Sequence, residues 1–340
     1  MNVLTRARQS GWPLRKLRAL HAAFPLLTVL ASCGGQQSSL NSAGQDASAI
    51  LTLFWVMLAG AIVLWLVVNG AFYYISRIAP GRFDQRYARH LLIGGGIILP
   101  TFVLTALLVW GLSILPDQRQ KGDGLVIKVT GEQWWWRVEY WPEGAETPII
   151  TANEIRLPVG KRTEFRLTSA QVIHSFWVPA LGGKMDMFPG RETLISLAPD
   201  KVGTFRGQCA EFCGASHAWM AFSALVMEQE DFDQWLAKEA GNAQPVASEP
   251  AARGAAIFDA QGCGACHAIR GTKAVGQVGP DLTHIGSRQS LGAGRSKVTL
   301  QDLQTWITHT EFLKPEVKMP SYDLDPADLS DLARYLEGLK

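Results

Sequence analysis

The sequence predicts a multi-domain membrane protein: a two-helix transmembrane hairpin, then an all-β sandwich or barrel, then an all-α domain. Three observations carry this. Two long stretches, residues 47–76 and 91–116, contain no charged side chain. From Leu125 to about Met227 the chain breaks into short β-rich runs separated by Gly and Pro. From Ala251 onward, helical periodicity at both ends flanks a compact cysteine–histidine string.

Composition narrows the function class. A length of 340 residues leaves room for about two domains of ~150 residues, each with its own core. Lys and Arg number 32 against 30 acidic residues, and that near-balance excludes the strongly basic surface of a nucleic-acid binder. Charged residues make up 18% of the chain, below the usual ~25%, which argues against a disordered protein. The mean hydropathy of +0.06 is high for a soluble enzyme and directs attention to membrane segments. Five cysteines are too few for a disulfide scaffold and odd in number, so at least one has another use.

Residues 1–32 read as a signal peptide of the lipoprotein type. Arg6, Arg8, Arg15, Lys16 and Arg18 form the basic region, and Ala22 to Leu30 an apolar stretch too short to span a bilayer. Leu30-Ala31-Ser32-Cys33 resembles a bacterial lipobox, which makes Cys33 the expected lipidation site. Residues 33–46 are small and polar and read as a flexible tether.

Transmembrane helices are expected at 47–76 and 91–116, both longer than the ~20 residues that cross the hydrocarbon. The loop between them, 77–90, carries Arg77, Arg82, Arg86 and Arg89 against Asp84 alone, and such a loop stays in the cytoplasm. The remainder therefore lies on the periplasmic side of a bacterial inner membrane, with lipid as a partner. An exported, lipidated N-terminus requires the same topology. The next domain is expected at 120–238, a linker with Pro245, Ser248 and Pro250 at 239–250, and the last domain at 251–340.

The last domain contains Cys263-Gly264-Ala265-Cys266-His267, a C-x-x-C-H string. Two thiols add across the haem vinyl groups and the adjacent His ligates the iron, so covalently bound haem c is expected on Cys263, Cys266 and His267. A zinc site would want a second Cys pair, and this domain has none. Met319, the domain's one methionine, follows His267 by 52 residues in a Pro-stiffened loop and is the expected sixth ligand, with His284 and His309 as alternatives. This domain resembles a class I cytochrome c. Its 10 basic and 10 acidic residues imply no strongly charged docking face.

The middle domain carries Cys209, Cys213, His217 and Met220 at C-x3-C-x3-H-x2-M spacing. Thiolate, thioether and imidazole together suit copper, and two thiolates can bridge two ions, each needing a terminal His. The domain offers two histidines, His217 and His174, so the inventory closes. A Cys209–Cys213 disulfide is the competing reading; this compartment permits it, but it leaves the His and Met pattern unexplained.

The loop resembles the dinuclear copper (CuA) site of cytochrome c oxidase subunit II, a member of the haem-copper oxidase family, and the likeness covers about residues 45 to 240. The resemblance implies a cupredoxin-like barrel in which Cys209 and Cys213 bridge the coppers and His174 and His217 each cap one. Met220 is then a weak ligand to one copper and the Glu211 carbonyl to the other. In the family the Glu211 side chain also reaches a Mg²⁺ shared with subunit I. Gly131-Glu132-Gln133-Trp134-Trp135-Trp136 resembles the family's aromatic stretch, where the first aromatic, here Trp134, receives the electron from cytochrome c. The family commonly has His where this chain has Glu132. Met185 and Met187 stand outside the ligand pattern and read as packing or interface residues, while Asp186 and Arg191 resemble the loop that meets subunit I.

The function implied is the electron-accepting subunit of a proton-translocating cytochrome c oxidase. Electrons would run from a cytochrome c donor through the attached haem c and CuA to subunit I, where oxygen is reduced; subunit III is a further expected partner. Tethering the haem domain raises its local concentration at the copper domain to roughly millimolar. A nitrous-oxide-reducing enzyme would need a second, His-rich copper centre that seven histidines cannot supply. A quinol-oxidase subunit II would lack the copper ligands. A membrane-anchored carrier without an oxidase partner remains the third alternative.

Overall fold

The computed structural model describes residues 34–80, 84–115 and 117–340. The expected signal peptide, Cys33 and Arg82 lie outside the described residues.

The chain enters the membrane on α1 (Gln45–Tyr73), prolonged by a π-helical turn over Tyr74–Ile78. It returns on α2 (Gln85–Ile93), a π-helical turn at Gly94–Ile98 and α3 (Leu99–Ile114). At 29 residues, α1 is about 44 Å long, more than the hydrocarbon thickness. Leu66, Val67, Phe102 and Leu104 are exposed along the two helices, as a lipid-facing surface requires. The returning helix starts six residues before the expected boundary, because Gln85–His90 is amphipathic rather than apolar and hydropathy misses it.

Residues 34–44 are not a free tether. Ala43 N–H donates to Ala180 O at 2.7 Å, Gln45 N–H to Ala198 O at 2.9 Å, and Gln36 O accepts from Arg206 N–H at 3.0 Å. Small polar residues read as flexible by composition, yet they are also what an extended strap needs to lie against a barrel edge. Ala43 is 2% exposed for that reason.

Ten strands follow: β1 (Val126–Glu132), β2 (Trp135–Trp141), β3 (Ile149–Ala152), β4 (Glu154–Pro158), β5 (Thr163–Ser169), β6 (His174–Trp177), β7 (Met185–Met187), β8 (Thr193–Leu197), β9 (Gly203–Cys209) and β10 (Ala221–Met227). They form two five-stranded sheets, ordered β3-β2-β1-β5-β8 and β4-β10-β9-β6-β7. Along β1 and β2 the burial alternates residue by residue, the period-2 pattern of strands with one face on a core. The rings of Trp136, Phe176 and Phe222 fill the space between the sheets, with Phe176 stacked on Phe222 at 4.9 Å between centroids.

α4 (Gln229–Glu239) caps the barrel, with Phe232 in the barrel core, and the helical domain is built from α5 (Glu249–Ala260), α6 (Leu300–Thr308), α7 (Thr310–Leu313) and α8 (Pro326–Gly338). Ser248 accepts from Ala251 N–H to start α5, and Asp325 accepts from Ala327 N–H to start α8. The two terminal helices cross so closely that a Cβ on Gly254 would sit 2.1 Å from Asp331 O. Phe258, Leu303, Ile307, Leu332 and Leu336 form this domain's own core.

One guanidinium ties the membrane hairpin to the barrel. Arg162, on the turn before β5, reaches Asp46 Oδ2 at 3.1 Å in the first turn of α1 and Asp117 O at 3.0 Å just beyond α3. The Asp46 side chain is 2% exposed, so its charge has no water to fall back on. Removing one partner of a buried pair strands the other. We expect Arg162→Met to lower barrel stability by about 3 kcal/mol, read as an earlier urea midpoint in detergent, whereas Arg166→Met, where the guanidinium is half-exposed, should cost less although its partner Glu164 is buried.

Candidate metal and haem centres

The copper-type donors converge from two places. The loop from β9 to β10 supplies Cys209, Cys213, His217 and Met220, and β6, hydrogen-bonded beside β9, supplies His174. Pairing of Phe176 with Cys209 sets the register that brings His174 over the loop. Gly131 has to be glycine here, since a Cβ would lie 2.7 Å from His174 Cδ2.

The sulfur atoms of Cys209 and Cys213 are 3.7 Å apart, far beyond the ~2.05 Å of a disulfide, and both thiols are free. His174 Nδ1 lies 3.7 Å from the Cys209 sulfur and His217 Nδ1 3.5 Å from the Cys213 sulfur. Met220 Sδ is 3.9 Å from Cys213, and Glu211 O is 3.1 Å from Cys209. Every donor atom in the expected set thus faces the thiol pair. Cys209, Cys213 and Met220 are buried, and His174 is fully buried with its Nε2 unpartnered. The hydrogen bond from Cys213 holds the Cys209 thiol far below the ordinary thiol range, at about 3, and the same bond pushes Cys213 up. A soft, buried thiol pair, one member of which ionises readily, with two flanking imidazoles fits copper.

The Glu211 side chain is half-exposed, 3.9 Å from Lys184 Nζ. Lys184 also pairs with Asp186 at 2.7 Å, and Ser175 Oγ donates to the same carboxylate. The Lys184 contact, with help from Ser175, holds the Asp186 carboxyl below its usual range. Arg191 is exposed and stacks on Phe188 at 5.3 Å. Met187 is wholly buried and Met185 packs against the barrel core, consistent with packing roles.

The haem-type residues gather on one cleft. Cys263 and Cys266 are free, and both line it with His267 and Met319. His267 Nδ1 donates to Pro280 O at 2.7 Å, which leaves Nε2 as the unprotonated nitrogen of a residue that lines the cleft. Burial lowers the His267 pKa, and the Pro280 bond works against that. Gly279 allows this close approach: a Cβ there would be 2.5 Å from His267 Cε1. The alternative histidines lie elsewhere. His284 turns to Gly241 O at 3.3 Å, and His309 is exposed beside Thr308. A pair of thiols, one oriented imidazole and one thioether around a long apolar cleft fits a covalently held haem.

The cleft does not close on its own domain. Gln133, Trp134 and Trp135 of the barrel form part of its wall. Trp134 is 4% exposed, and its Nε1 donates to Cys213 O at 2.9 Å. Gln133 Nε2 donates to the same carbonyl at 3.0 Å. One indole is therefore shared by the copper-type loop and the haem-type cleft.

Several residues that form this seam carried no sequence signal. Arg270 donates to Ile150 O at 2.9 Å and to Asp281 at 3.1 Å. Buried Arg288 reaches Thr151 Oγ1 at 3.4 Å, and Gln289 N–H donates to Glu154 Oε2 at 2.8 Å. Glu132 pairs with Arg137 at 3.2 Å, and Arg137 in turn donates to Gln277 O at 2.7 Å, so the position that departs from the family's histidine braces the seam. Burial lowers the pKa of Lys314.

Comparisons with known proteins match each soluble domain to a family. Residues 142–228 match the family described as cytochrome c oxidase subunit II, periplasmic domain, and residues 251–340 match cytochrome c. Cytochrome c oxidase subunit 2 of Alkalihalophilus pseudofirmus is 36% identical over 66% of this chain and 64% of its own length. The subunit 2 of Bacillus sp. strain PS3 is 33% identical over 72% and 70%, and that of Bacillus subtilis 29% over 96% and 98%. Among solved structures, the periplasmic domain of subunit II of cytochrome oxidase from Bradyrhizobium japonicum is 34% identical, covering 35% of this chain and 95% of that one with a TM-score of 0.31. The chain belongs to the cytochrome c oxidase subunit II family, in a form that carries a cytochrome c domain at its C-terminal end.

Proposed function

We propose that this chain is the electron-accepting subunit of a respiratory, proton-translocating cytochrome c oxidase, and that it passes electrons from a haem c domain to a dinuclear copper domain within one polypeptide. The observation that carries the reading is Trp134. Its ring forms part of the haem-type cleft while its N–H holds the carbonyl of Cys213.

Residues 120–238 would hold the copper pair, with Cys209 and Cys213 as bridges, His174 and His217 as caps, and Met220 and the Glu211 carbonyl as weak ligands. Residues 251–340 would hold haem c through Cys263, Cys266, His267 and Met319. Bound there, the two groups supply one-electron redox chemistry, with the oxygen chemistry left to subunit I. The protein's own part is to fix distances and exclude water. Buried thiols and a fully buried His174 keep the copper-type site dry, which limits solvent reorganisation around a changing charge. The Trp134 indole replaces solvent between the two sites with a packed π surface.

This arrangement also assigns the fused domain its role. Trp134 is buried beneath it, so a separate cytochrome c cannot lay its haem edge on that ring. An external donor must instead deliver to the attached haem domain. The half-exposed side chain of Glu211 suits a Mg²⁺ shared with subunit I, and Asp186 and Arg191 suit contact with that subunit. The Arg-rich loop supports a hairpin with both soluble domains on the outer side, and in this reading the membrane is a bacterial inner membrane, subunit III a further neighbour and Cys33 the lipidated residue.

Metal counts and spectra of the purified chain test the sites. We expect two coppers and one iron per chain with both c-haem and purple-copper bands. Cys209→Ser should lose the copper and its colour and keep the haem bands; unchanged copper in that variant contradicts the assignment. Met319→Ala should lose the sulfur-to-iron charge-transfer band and lower the haem potential, because thioether ligation is what raises it. His284→Ala should leave both unchanged, and a loss there would transfer the sixth-ligand role to His284.

A further inference from the structure

We propose that Lys314 is a positioning residue for electron transfer, a latch that holds the haem domain on the copper domain at Trp134; this rests on the haem-to-copper route proposed above. Lys314 follows α7 and is 2% exposed. A lysine ammonium is among the groups least often buried, and burying one without hydrogen bonds is costly. Among the described residues no carboxylate pairs with it. Its Nζ donates instead to two backbone carbonyls, Trp134 O on the barrel and Gly292 O on its own domain at 3.0 Å. One of its two acceptors belongs to the barrel, so the pair of bonds is complete only when the two domains are together.

The surrounding contacts follow the same seam. Ser216 Oγ, in the copper-type loop, donates to Pro315 O at 2.6 Å. Ala221 N–H, where that loop ends, donates to Ala293 O at 3.0 Å. The Arg295 guanidinium lies 4.3 Å over the Trp219 ring, and its Nε donates to Leu313 O at 2.9 Å. Two haem-domain segments, 291–296 and 310–315, therefore seat on the loop that bears the copper-type donors, with Lys314 at their centre.

The choice of acceptor matters. Arg270 and Arg288 hold β3, away from the copper-type loop. Lys314 holds the main chain of Trp134 itself, whose side chain carries the contact to Cys213. Without that bond the other seam contacts still tether the domains, but the Trp134 main chain loses its hydrogen bond to the haem domain. Lys314 makes no hydrogen bond to any of the proposed ligands, although its charge is felt at Cys213 and it lines the haem-type cleft, so both absorption spectra of a variant are compared before its rate is read.

The test uses the full-length protein in detergent with both groups loaded. A flash-driven photoreductant reduces the haem, and the copper band reports arrival of the electron. In the unaltered protein we expect a rate that does not depend on solvent viscosity, because the domains are already docked. Lys314→Met should keep both absorption spectra, slow the transfer about tenfold or more, the effect of losing hydrogen bonds to a charged group, and make the rate fall as viscosity rises. Lys314→Gln retains a donor and should lie between the two. A Lys314→Met rate equal to that of the unaltered protein, and equally insensitive to viscosity, overturns the latch. If Lys314→Met loses its copper band, the Lys314→Gln rate decides by the same criterion. Absence of transfer in the unaltered protein would overturn the route and the latch together, which separates the two failures.

Discussion

Electron transfer between two bound groups falls steeply with the gap between them, so the decisive constraint on this chain is the distance between two independently folded domains. The barrel has its own aromatic core around Trp136 and Phe176, and the helical domain its own around Phe258 and Leu332. Each core closes around residues of its own domain. What joins them is polar and specific: Arg270 on a strand carbonyl, Gln289 on Glu154, Ser216 on Pro315 and Lys314 on Trp134. Such contacts add modest stability and fix orientation closely, which is what a distance-sensitive process requires.

Trp134 is where that orientation becomes chemistry. An indole offers a large flat surface and one N–H donor. The donor goes to Cys213 O, and Gln133 binds the same carbonyl, so the ring cannot turn without giving up its bond. Gly214 beside it leaves the room: a Cβ there would stand 2.9 Å from the indole. On the other side of the barrel Arg162 does comparable work toward the membrane, linking the start of one spanning helix and the end of the other to the same turn. The copper-type loop is thereby referenced to the bilayer on one side and to the haem-type cleft on the other.

The sequence was most legible where chemistry is local. The C-x-x-C-H string and the Cys209–Met220 loop place their donors within a few residues of one another, so spacing alone brings the atoms together. His174 lies 35 residues before Cys209 and was reached by counting the histidines available; the strand register supplies the reason it arrives. The spans were legible because hydrocarbon thickness fixes a length. Amphipathic Gln85–His90 was not, since hydropathy is blind to a helix that leaves the membrane. Residues 34–44 were misread as free because composition reports what a segment is made of and not what it lies against. The seam was least legible. Arg270, Arg288 and Lys314 look like surface charges, and only the tertiary arrangement gives them carbonyl partners from another domain.

The central claim is that the electron crosses from haem to copper inside one chain, and the concentration dependence of that step addresses it most directly. With the full-length protein loaded and its haem selectively reduced by flash, the rate at which the copper band bleaches should be first order and unchanged when protein is diluted over a hundredfold range. A rate that falls in proportion to dilution would mean that each copper site is served by another molecule's haem, and would contradict the shared-indole geometry as the working route.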